Sequence, residues 1–304
     1  MSAGPGLTPR PSSYHKKTTR PLRTGASVLV WRRDQVEYLV AVLVGLALSQ
    51  LATLITTVYL HRVLSHRSIR LHPALTMAMR FGTWMLTSIS PREWVAVHRK
   101  HHNFSDVEGD PHSPHIEGYW QIMIGNVYYY RREANDGDTL EKYAADLPFD
   151  KLDKALLRRG TLGFSLTGVI LVVLFGVFGP GWGIGPGLVA LATLAVVYLL
   201  LNAAINGAGH TFGYKSFEND ATNLKLLALI TFGEGLHNNH HARPASAKLA
   251  AFKDEFDPAW PVIRLLEKLR LAEVLTKVDE GWDDHRRRIP RTTVSPLGNK
   301  TVQE

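Results

Sequence analysis

Three long apolar runs dominate the hydrophobic pattern of the chain. Residues 38–60 carry no formal charge, and as a helix rising about 1.5 Å per residue they would cover roughly 34 Å, enough to cross a hydrocarbon core of about 30 Å. Two further runs, residues 162–178 and 188–205, flank a stretch rich in glycine and proline at 179–187. We therefore predict three transmembrane helices, of which the last two form a hairpin.

A fourth apolar stretch, residues 71–91, differs from the others because Arg80 lies in its middle. A charge at the centre of a bilayer is costly, so we predict an interfacial helix there and not a span. The alternative for all these runs is a set of buried helices in a soluble core. The two paired runs approach full spanning length, which favours the membrane interpretation.

The segments outside the apolar runs suggest three parts. Residues 1–35 are basic and rich in proline and serine, and they lack the apolar core of a signal peptide. This predicts an N-terminal tail that is disordered or lies on the membrane surface. Residues 36–285 would form one membrane domain, and residues 286–304 a C-terminal tail. The fold class that we expect is an all-α membrane protein.

The composition restricts the chemistry. The 304 residues include no cysteine, which excludes disulfides, zinc–thiolate sites, iron–sulfur clusters held by the chain and cysteine nucleophiles. No glycine-rich phosphate loop and no G-x-S-x-G nucleophile motif is present. Any bound metal must therefore use nitrogen or oxygen ligands.

Fourteen histidines provide such ligands, and nine of them form a pattern. One pair is spaced H-x-x-x-x-H, two triplets share the form H-x-x-H-H, and one histidine stands alone. The nine are His61 and His66; His98, His101 and His102; His237, His240 and His241; and His210. Positions i, i+3 and i+4 share a helix face, so each triplet can point its rings at a common centre and supply half of a metal cradle.

The number of histidines favours two metal ions. Neutral imidazole suits iron, zinc, copper or nickel, and eight or nine imidazoles are too many for one four-coordinate ion. The alternative is a network of ordinary polar histidines. That plainer role fits His15, His72 and His285, which lack companions. For His112 and His115 both interpretations stay open.

The predicted topology places every histidine group on one side of the membrane. That side carries 28 of the 35 Lys and Arg residues, 14 within residues 61–161 and 14 after residue 210. Such an excess is typical of the cytoplasmic face. Seven more basic residues precede residue 34 and favour a cytoplasmic N-terminus as well, which three spans cannot provide. The side of the N-terminus therefore stays open.

Five motifs carry a resemblance to a known family. They read HRVLSHRS at 61–68, EWVAVHRKHHNFSD at 93–106, GDPHSP at 109–114, NGAGH at 206–210 and GEGLHNNHHA at 233–242. In this order they resemble the histidine boxes of the membrane fatty acid desaturases of the Δ9 type, over about residues 38–275. The resemblance implies a small bundle of membrane helices, capped by a cytosolic helical domain, with a bent tunnel that presents an acyl chain to the metal site.

The resemblance also implies the metal and its ligands. The nine patterned histidines would hold two irons, and Asn206, four residues before His210, would approach one iron through water. Residues near the boxes are candidates for hydrogen bonds that orient the ligands; the plainer alternative for them is a role as helix caps or solvated loop charges. These candidates are Asp106, Asp110, Glu234 and Asn238.

The implied reaction is the dioxygen-dependent insertion of a cis double bond, expected at Δ9, into a saturated long-chain acyl group. An unactivated methylene has no acidic proton, so acid–base chemistry cannot start the reaction and a metal-derived oxidant is needed. Two electrons must come from outside, because no dinucleotide fingerprint, cytochrome b5 signature or cluster-binding cysteine is present. We expect a donor of the ferredoxin or flavin reductase type, met by the basic surface. The same basic residues would also suit anionic lipid.

Two features depart from the family pattern. Only one span precedes His61, where family members usually have two. Ala96 and Val97 stand where animal acyl-CoA desaturases carry an Arg-Asp pair, which weakens the case for CoA contact. The sequence of the second histidine box is more similar to that of the plant and cyanobacterial desaturases, some of which act on acyl groups esterified in lipids. We expect an integral protein of a bacterial cell membrane, acting on acyl-lipid or acyl-CoA.

Three other functions were weighed against the desaturase. A di-iron hydroxylase of an alkyl, sterol or carotenoid substrate uses related boxes and would yield an alcohol. A metal transporter is disfavoured because residues 38–60 and 162–178 contain no ionisable pathway residue. Nucleic-acid binding is disfavoured because the basic excess follows a membrane side.

Overall fold

The computed structural model describes residues 25–179, 184–276, 288–294 and 302–303, together with Met1. The predictions for most of the two tails and for part of the hairpin turn concern residues outside these ranges. Within them the protein is mainly helical, which confirms the predicted fold class of an all-α membrane protein. Five short strands are added to the helices.

The elements follow one another in a simple order. The helices are α1 (Gly25–Ile55), α2 (Pro73–Thr87), α3 (Pro91–Phe104), α4 (Pro114–Glu117), α5 (Tyr119–Ala134), α6 (Gly137–Ala144), α7 (Gly160–Phe178), α8 (Ile184–Gly207), α9 (Lys225–Ile230), α10 (His237–Ala242) and α11 (Ala259–Lys268). The strands are β1 (Ile69–Leu71), β2 (Gly213–Phe217), β3 (Ala272–Val274), β4 (Arg288–Val294) and β5 (Val302–Gln303). Two π-helical segments, Thr56–Ser65 and Asp153–Leu157, and a 3₁₀ turn, Ala208–His210, complete the set.

Three described helical stretches are long and apolar enough to cross a membrane. They are Gln35–Ser65, Gly160–Phe178 and Ile184–His210, and they coincide with the three predicted runs. Their outward-facing side chains are apolar and exposed, as expected where lipid and not protein covers them. The bilayer boundaries on these helices remain a prediction.

Helices α1 and α8 run parallel to each other. Gly45 lies against Ala190, and further along both helices the hydroxyl groups of Thr56 and Tyr198 share a hydrogen bond of 2.8 Å. Helix α7 precedes α8 in the chain and runs in the opposite direction, since Gly168 lies against Leu191 and Gly187 against Val172. The C-terminal ends of α1 and α8 therefore meet the start of α7 at one end of the bundle, and every histidine segment leaves from that end, as predicted. The beginning of α1 lies at the other end.

Glycines allow the spanning helices to approach closely. A Cβ atom at Gly45 would lie 2.5 Å from the carbonyl oxygen of Ala190, and one at Gly187 would lie 2.6 Å from the Cα atom of Val172. A larger residue at either position would push the helices apart. Small residues at such contacts are typical of helix packing in membranes.

Helix α2 is shorter than the predicted stretch 71–91. His72 caps its first turn, with Nδ1 accepting a hydrogen bond of 3.3 Å from the amide of Ala74, and Ser88 ends it in the left-handed conformation. Arg80 in its middle pairs with Asp150 at 2.9 Å and Asp153 at 2.8 Å. Carboxylates of a polar segment therefore reach the middle of α2. The interfacial position of this helix stays a prediction.

The remaining elements form a cap over the end of the bundle that bears the histidines. Strand β1 pairs antiparallel with β3, and β2, β4 and β5 form a second antiparallel sheet. The main hydrophobic cluster joins cap and bundle, since it includes Val58 and Leu194 from the spanning helices together with Ile69 and Ile263 from the cap. Burial of these side chains fixes the cap on the bundle.

Candidate metal centre

The first histidine pair lies on a π-helical continuation of α1. In a π-helix, residues five positions apart are hydrogen-bonded neighbours, and the amide of His66 accordingly donates to the carbonyl oxygen of His61 at 3.1 Å. Their rings lie 4.7 Å apart, centroid to centroid. The spacing H-x-x-x-x-H thus places both rings on one face of this segment, which an α-helix would not do.

The other histidines come from three separate elements. Helix α3 carries the first triplet, helix α10 carries the second, and the 3₁₀ turn after α8 carries His210. Helix α10 and the 3₁₀ turn contribute only buried or half-buried rings. The fold therefore gathers side chains that are up to 180 positions apart in the sequence, as predicted from the topology.

The nine rings form two clusters in which the nitrogen atoms that face one another lie within 4.8 Å. The first, here called the five-histidine cluster, consists of His61, His66, His98, His102 and His240. The second, the four-histidine cluster, consists of His101, His210, His237 and His241.

Each triplet is divided between the clusters. We expected the three rings of one triplet to face one centre. Instead, the i and i+4 rings of α3, His98 and His102, join the five-histidine cluster while His101 joins the other. In α10 the division is reversed, since only the i+3 ring, His240, joins the five-histidine cluster. Both helices therefore bridge the two centres and fix the distance between them.

The distances between ring nitrogens fit a bound metal ion. In the five-histidine cluster the Nε2 atoms are 2.8 Å apart for His66 and His98, 3.0 Å for His61 and His240, and 3.1 Å for His98 and His102. Two nitrogens bound at about 2.1 Å to one ion lie roughly 3.0 Å apart at a right angle and roughly 3.4 Å apart at the tetrahedral angle. The observed values lie at the right-angle end of this range or just below it.

Three carboxylates hold one ring each through its outer nitrogen. Glu234 lies 2.7 Å from Nδ1 of His61, Asp110 lies 3.0 Å from Nδ1 of His101, and Asp106 lies 2.6 Å from Nδ1 of His210. Because a carboxylate accepts, each Nδ1 must donate its proton, which leaves the lone pair of Nε2 pointing into the cluster.

The fourth predicted residue, Asn238, does not contact a clustered ring in this way. Its Oδ1 accepts hydrogen bonds from the amides of Ser216 at 2.7 Å and Phe217 at 2.9 Å. Its side chain also donates to Ala221 at 3.1 Å. Asn238 therefore ties strand β2 and the following loop to α10, and it acts on the cluster only by holding that helix.

Several of the clustered rings outside the spanning segments are uncharged, so their lone pairs are available. Burial, followed by repulsion from neighbouring rings, holds the pKa of His98, His102 and His240 well below the usual value. The Nε2 atom of His210 is buried and has no hydrogen-bond partner among the described residues. Converging lone pairs without protons between them would repel one another. A cation in each cluster removes this repulsion, and neutral imidazoles without thiolates suit iron among the metals considered.

The acidic residues remain charged. Burial alone would raise the pKa of Asp106 and of Glu234, but the interactions of each carboxylate with its histidine partner outweigh it, and both pKa values lie below the usual range. The pKa of Asp110 is also lowered, by its bond to His101 against the effect of burial. Each carboxylate can therefore polarise its histidine at neutral pH.

Comparison with known proteins decides the family. A model of fatty acid desaturases matches residues 37–261. This chain belongs to the fatty acid desaturase family. The desaturase is 35% identical over 221 residues to an sn-2 palmitoyl-lipid 9-desaturase of Nostoc sp. (strain 36), covering 70% of this chain and 73% of that one. It is 31% identical to the Delta-9 acyl-lipid desaturase 2 of Arabidopsis thaliana, with 77% and 73% covered. An acyl-CoA 5-desaturase of Anemone leveillei is 31% identical, with 77% and 70% covered.

A cavity of about 270 Å³ reaches the clusters of the desaturase between α3, α5 and α8. Away from the histidines its wall is mainly apolar and includes Leu86, Phe164 and Ile205. Trp94 also lines it, and its ring stacks on His98 with centroids 4.8 Å apart and planes 14° apart. An apolar cavity that ends at rings able to hold a metal ion suits the acyl substrate of an integral membrane desaturase.

Asn206 lies in the wall of this cavity, outside both clusters. Its side-chain amide donates a hydrogen bond of 3.1 Å to the Oδ1 atom of Asn126 on α5. The predicted approach of Asn206 to a metal through water stays a prediction.

Two further histidines, which the sequence left undecided, also lie beside the clusters. His112 is buried, lines the cavity and stacks on His101 at 4.7 Å. Burial, with the charge of His101 as the next cause, lowers the pKa of His112 to about 3. His115 donates from Nε2 to the carbonyl oxygen of His210 at 2.8 Å and thereby fixes the end of α8. The motif GDPHSP at 109–114 contains His112 and is followed directly by His115, so it is the sequence signal for this segment.

Arg62 is a residue near the site that the sequence pattern does not indicate. This residue is fully buried, and its guanidinium group lies 3.0 Å from Asp257 and 3.4 Å from Glu234. Its Nε donates to the carbonyl oxygen of Ala247 at 2.9 Å, and Thr57 contacts both Arg62 and Glu234. Arg62 thus joins the carboxylate that orients His61 to the C-terminal part of the cap. Its position in HRVLSH gave no sign of burial, because arginine is usually exposed.

Proposed function

We propose that this desaturase introduces a cis double bond, at Δ9, into a saturated long-chain acyl group, using two histidine-bound irons, dioxygen and external electrons. The observation that carries the proposal is the pair of histidine clusters at the end of an apolar cavity. The cavity would bring a hydrocarbon chain to a metal bound by histidine nitrogens. Such a chain has no acidic proton, so the reaction needs an oxidant generated at the metal and not a general base.

The assignment of ligands follows the clusters. One iron would be held by the five-histidine cluster and the other by the four-histidine cluster, with Asn206 approaching one of them through water. The proposed ligands are His61, His66, His98, His102 and His240 for the first iron and His101, His210, His237 and His241 for the second.

The irons, when bound, supply the activation of dioxygen that removal of hydrogen from an unactivated methylene requires. The overall reaction balances as one CH₂–CH₂ unit, one dioxygen, two electrons and two protons giving one CH=CH unit and two waters. Two of the four electrons that reduce dioxygen come from the acyl chain and two come from the donor.

The protein itself orients the ligands. Glu234, Asp110 and Asp106 keep three rings in the tautomer with Nε2 inward. Because α3 and α10 each serve both clusters, a movement of either helix would disturb both centres at once. Rigid support of this kind keeps the reacting groups in productive geometry.

The cavity binds the chain and excludes water. Each methylene buried there contributes about 0.8 kcal/mol. Trp94, stacked on His98, forms the wall where the chain passes the five-histidine cluster. Exclusion of water protects reactive species from side reactions.

The donor, location and head group are proposed from surface charge and from likeness to the relatives. A ferredoxin or flavin reductase would deliver the electrons at the basic face, which we assign to the cytoplasmic side of a bacterial cell membrane. By likeness to the Nostoc and Arabidopsis relatives, whose names specify acyl lipids, an acyl-lipid substrate is favoured, and the Anemone relative keeps acyl-CoA as the alternative.

The test is product analysis in a host that lacks monounsaturated fatty acids. The chain is expressed with a compatible electron donor, and the acyl chains of the host are analysed by mass spectrometry for double-bond position. We expect new cis-monoenes with the parent and none with His101→Ala. Purified protein should contain two irons per chain.

Two results would refute the proposal. An alcohol in place of an olefin would identify a hydroxylase. Acyl profiles that do not differ between the parent and His101→Ala would remove the desaturase activity from this site. His285→Ala serves as the control, because His285 has no role in the proposed site and its loss should leave the products unchanged.

A further inference from the structure

The cavity has a rim between α5 and α8. Val127 of α5 and Leu199 of α8 both line it, and they are 46% and 44% exposed. At the inner end, by contrast, His101, His112 and His237 are buried. A side chain that lines a cavity and is also accessible marks its opening, so the cavity opens between these two helices.

The α8 side of this opening faces lipid. Leu199 lies in the middle of the candidate span Ile184–His210. Its neighbours Val196 and Leu200 are exposed apolar residues as well. On a spanning helix such a surface is covered by hydrocarbon. The opening therefore adjoins the acyl chains of the bilayer.

The α5 side carries an apolar stripe of its own. Trp120, Ile124, Val127 and Tyr128 are all exposed, and their spacing of three and four residues places them along one helix face. Amphipathic aromatic side chains at the ends of an apolar face are typical of a helix lying at the membrane interface.

The two apolar surfaces are continuous because α5 packs on the end of α8. A Cβ atom at Gly207 would lie 3.0 Å from the sulfur of Met123 and 3.7 Å from Ile122, and Asn126 is hydrogen-bonded to Asn206. The stripe on α5 thus continues the lipid-facing surface of α8. The bilayer is the occupant that this continuity indicates.

Arg131 lies one helical turn beyond Val127, at the same rim. It is exposed, and it is the only Lys or Arg among the described residues that line the cavity. It forms no ion pair within 4 Å with a described residue, although its charge acts on the carboxyl group of Glu93. Its neighbour Arg132, by contrast, pairs with Glu117 at 3.3 Å and lies over the ring of Tyr129. An unpaired guanidinium at the edge of an apolar opening is suited to a phosphate group.

We propose that the acyl chain enters sideways from the bilayer, between α5 and α8, while it is still esterified to an anionic glycerophospholipid whose phosphate binds Arg131. This inference rests on the proposed function and names its substrate class. A CoA thioester carries several phosphates and a nucleotide that must stay in water. The described rim offers one free cation and two apolar faces, which match a single lipid phosphate and its hydrocarbon chain.

The first experiment compares substrates in the reconstituted enzyme. The full-length desaturase is placed in bilayer nanodiscs with an electron donor and given carbon-13-labelled stearoyl groups in one of four forms: distearoyl phosphatidylglycerol, distearoylglycerol, stearoyl-CoA or stearoyl-acyl carrier protein. We expect labelled olefin from the phospholipid. Olefin from CoA or the carrier protein but not from the phospholipid overturns the sideways route and leaves the desaturase intact. No olefin from any form refutes the proposed function.

Matched variants test the rim. Val127→Trp should lower turnover of phosphatidylglycerol about tenfold, because a large ring overfills the opening. Val173→Trp on the lipid face of α7, where Val173 is 54% exposed, should leave this turnover unchanged.

A second pair of variants tests the phosphate contact. Arg131→Gln should raise the apparent KM for phosphatidylglycerol about fivefold and leave the KM for distearoylglycerol unaltered. Arg132→Gln should change neither value. Equal effects of the two variants in either pair would overturn the assignment of the rim.

A second readout does not depend on activity. Phosphatidylglycerol with a photoreactive diazirine in its acyl chain is irradiated with the purified desaturase in nanodiscs, and adducts are mapped by mass spectrometry. We expect adducts on cavity-lining residues of α3, such as Trp94 and Val97, and their loss in Val127→Trp but not in Val173→Trp. Adducts confined to the outer surfaces of the spans would overturn the proposal.

Discussion

Nδ1 of His101 lies 3.0 Å from both carboxylate oxygens of Asp110. The carboxylate is itself held by two backbone amides, those of Asp106 at 2.8 Å and His112 at 3.0 Å. The turn after α3 thus folds back and fixes the outer side of a ring whose inner side belongs to the four-histidine cluster. Its sequence, rich in Asp and Gly, permits such a turn.

Replacement of Asp110 should weaken metal binding at the four-histidine cluster. Asp110→Asn keeps the shape of the side chain but removes the negative charge that holds and polarises the His101 ring through Nδ1. Loss of such a partner typically lowers metal affinity about 10- to 100-fold. Competition with a chelator, followed by metal analysis, should show one of the two irons leaving at lower chelator concentration than in the parent.

Asp138→Asn is the control for that experiment. Asp138 is an exposed acidic residue in the first turn of α6 and belongs to neither histidine cluster. If Asp110→Asn and Asp138→Asn retained iron as well as the parent, the carboxylate would have no part in holding the metal site.

The division of each triplet between two clusters predicts how double substitutions behave. His98→Ala with His102→Ala removes two ligands from the five-histidine cluster and should cost one iron per chain. His98→Ala with His101→Ala removes one ligand from each cluster and should weaken both irons. Metal analysis after gel filtration, with Mössbauer spectra of iron-57-loaded protein, distinguishes the two patterns.

The opposite grouping makes a different prediction. If all three rings of α3 faced one ion, both double variants would lose the same iron and retain the other. The substitution His72→Ala controls for nonspecific effects, since His72 caps α2 and lies in neither cluster.

Much of this architecture could be predicted from local sequence pattern. Length and absence of charge were sufficient to predict the three spanning helices, because a charged side chain in hydrocarbon costs more free energy than other single residues contribute to membrane insertion. The placement of every histidine segment at one end of the bundle followed from the number of spans between them. Asp106, Asp110 and Glu234 could be proposed because each is close in sequence to a histidine motif.

The undetected features depend on contacts between distant segments. Helical spacing allowed the rings of a triplet to converge, but which ring faces which cluster is decided by the approach of α3 to α10. The π-helical turn that aligns His61 with His66 is a local departure from the α-helix that composition does not signal. Arg62 is buried only because Asp257, 195 positions later, neutralises it.

Removal of the Arg62 side-chain charge should destabilise the cap strongly. Arg62→Leu would leave Asp257 buried without its cation, and loss of one member of a buried ion pair typically costs about 3–5 kcal/mol. Burial already raises the pKa of Asp257 against the effect of Arg62, so this carboxylate depends on its partner. Thermal unfolding in detergent should show a clearly lower Tm.

Arg67→Leu is the matched control for that loss. Arg67 pairs with Asp146 at the surface, with 62% of its side chain exposed, and exposed pairs contribute about 0–1 kcal/mol. Similar Tm values for the two variants would mean that the buried pair adds no more than a surface pair.

Metal removal should lower the thermal stability of the desaturase, and the loss should be smaller when each cluster already lacks a ligand. Neutral rings with lone pairs facing one another at about 3 Å gain from a cation between them, and a ligand present at about 100 times its Kd stabilises by about 2.7 kcal/mol. Treatment with a chelator should therefore lower Tm by roughly 5–10 °C, and Fe²⁺ should restore it. The variant with both His98→Ala and His101→Ala, which damages each cluster, should respond much less to either treatment. If chelation left the Tm of the parent unchanged while its iron was lost, the rings would be held together by the protein alone, and the metal would have no structural role.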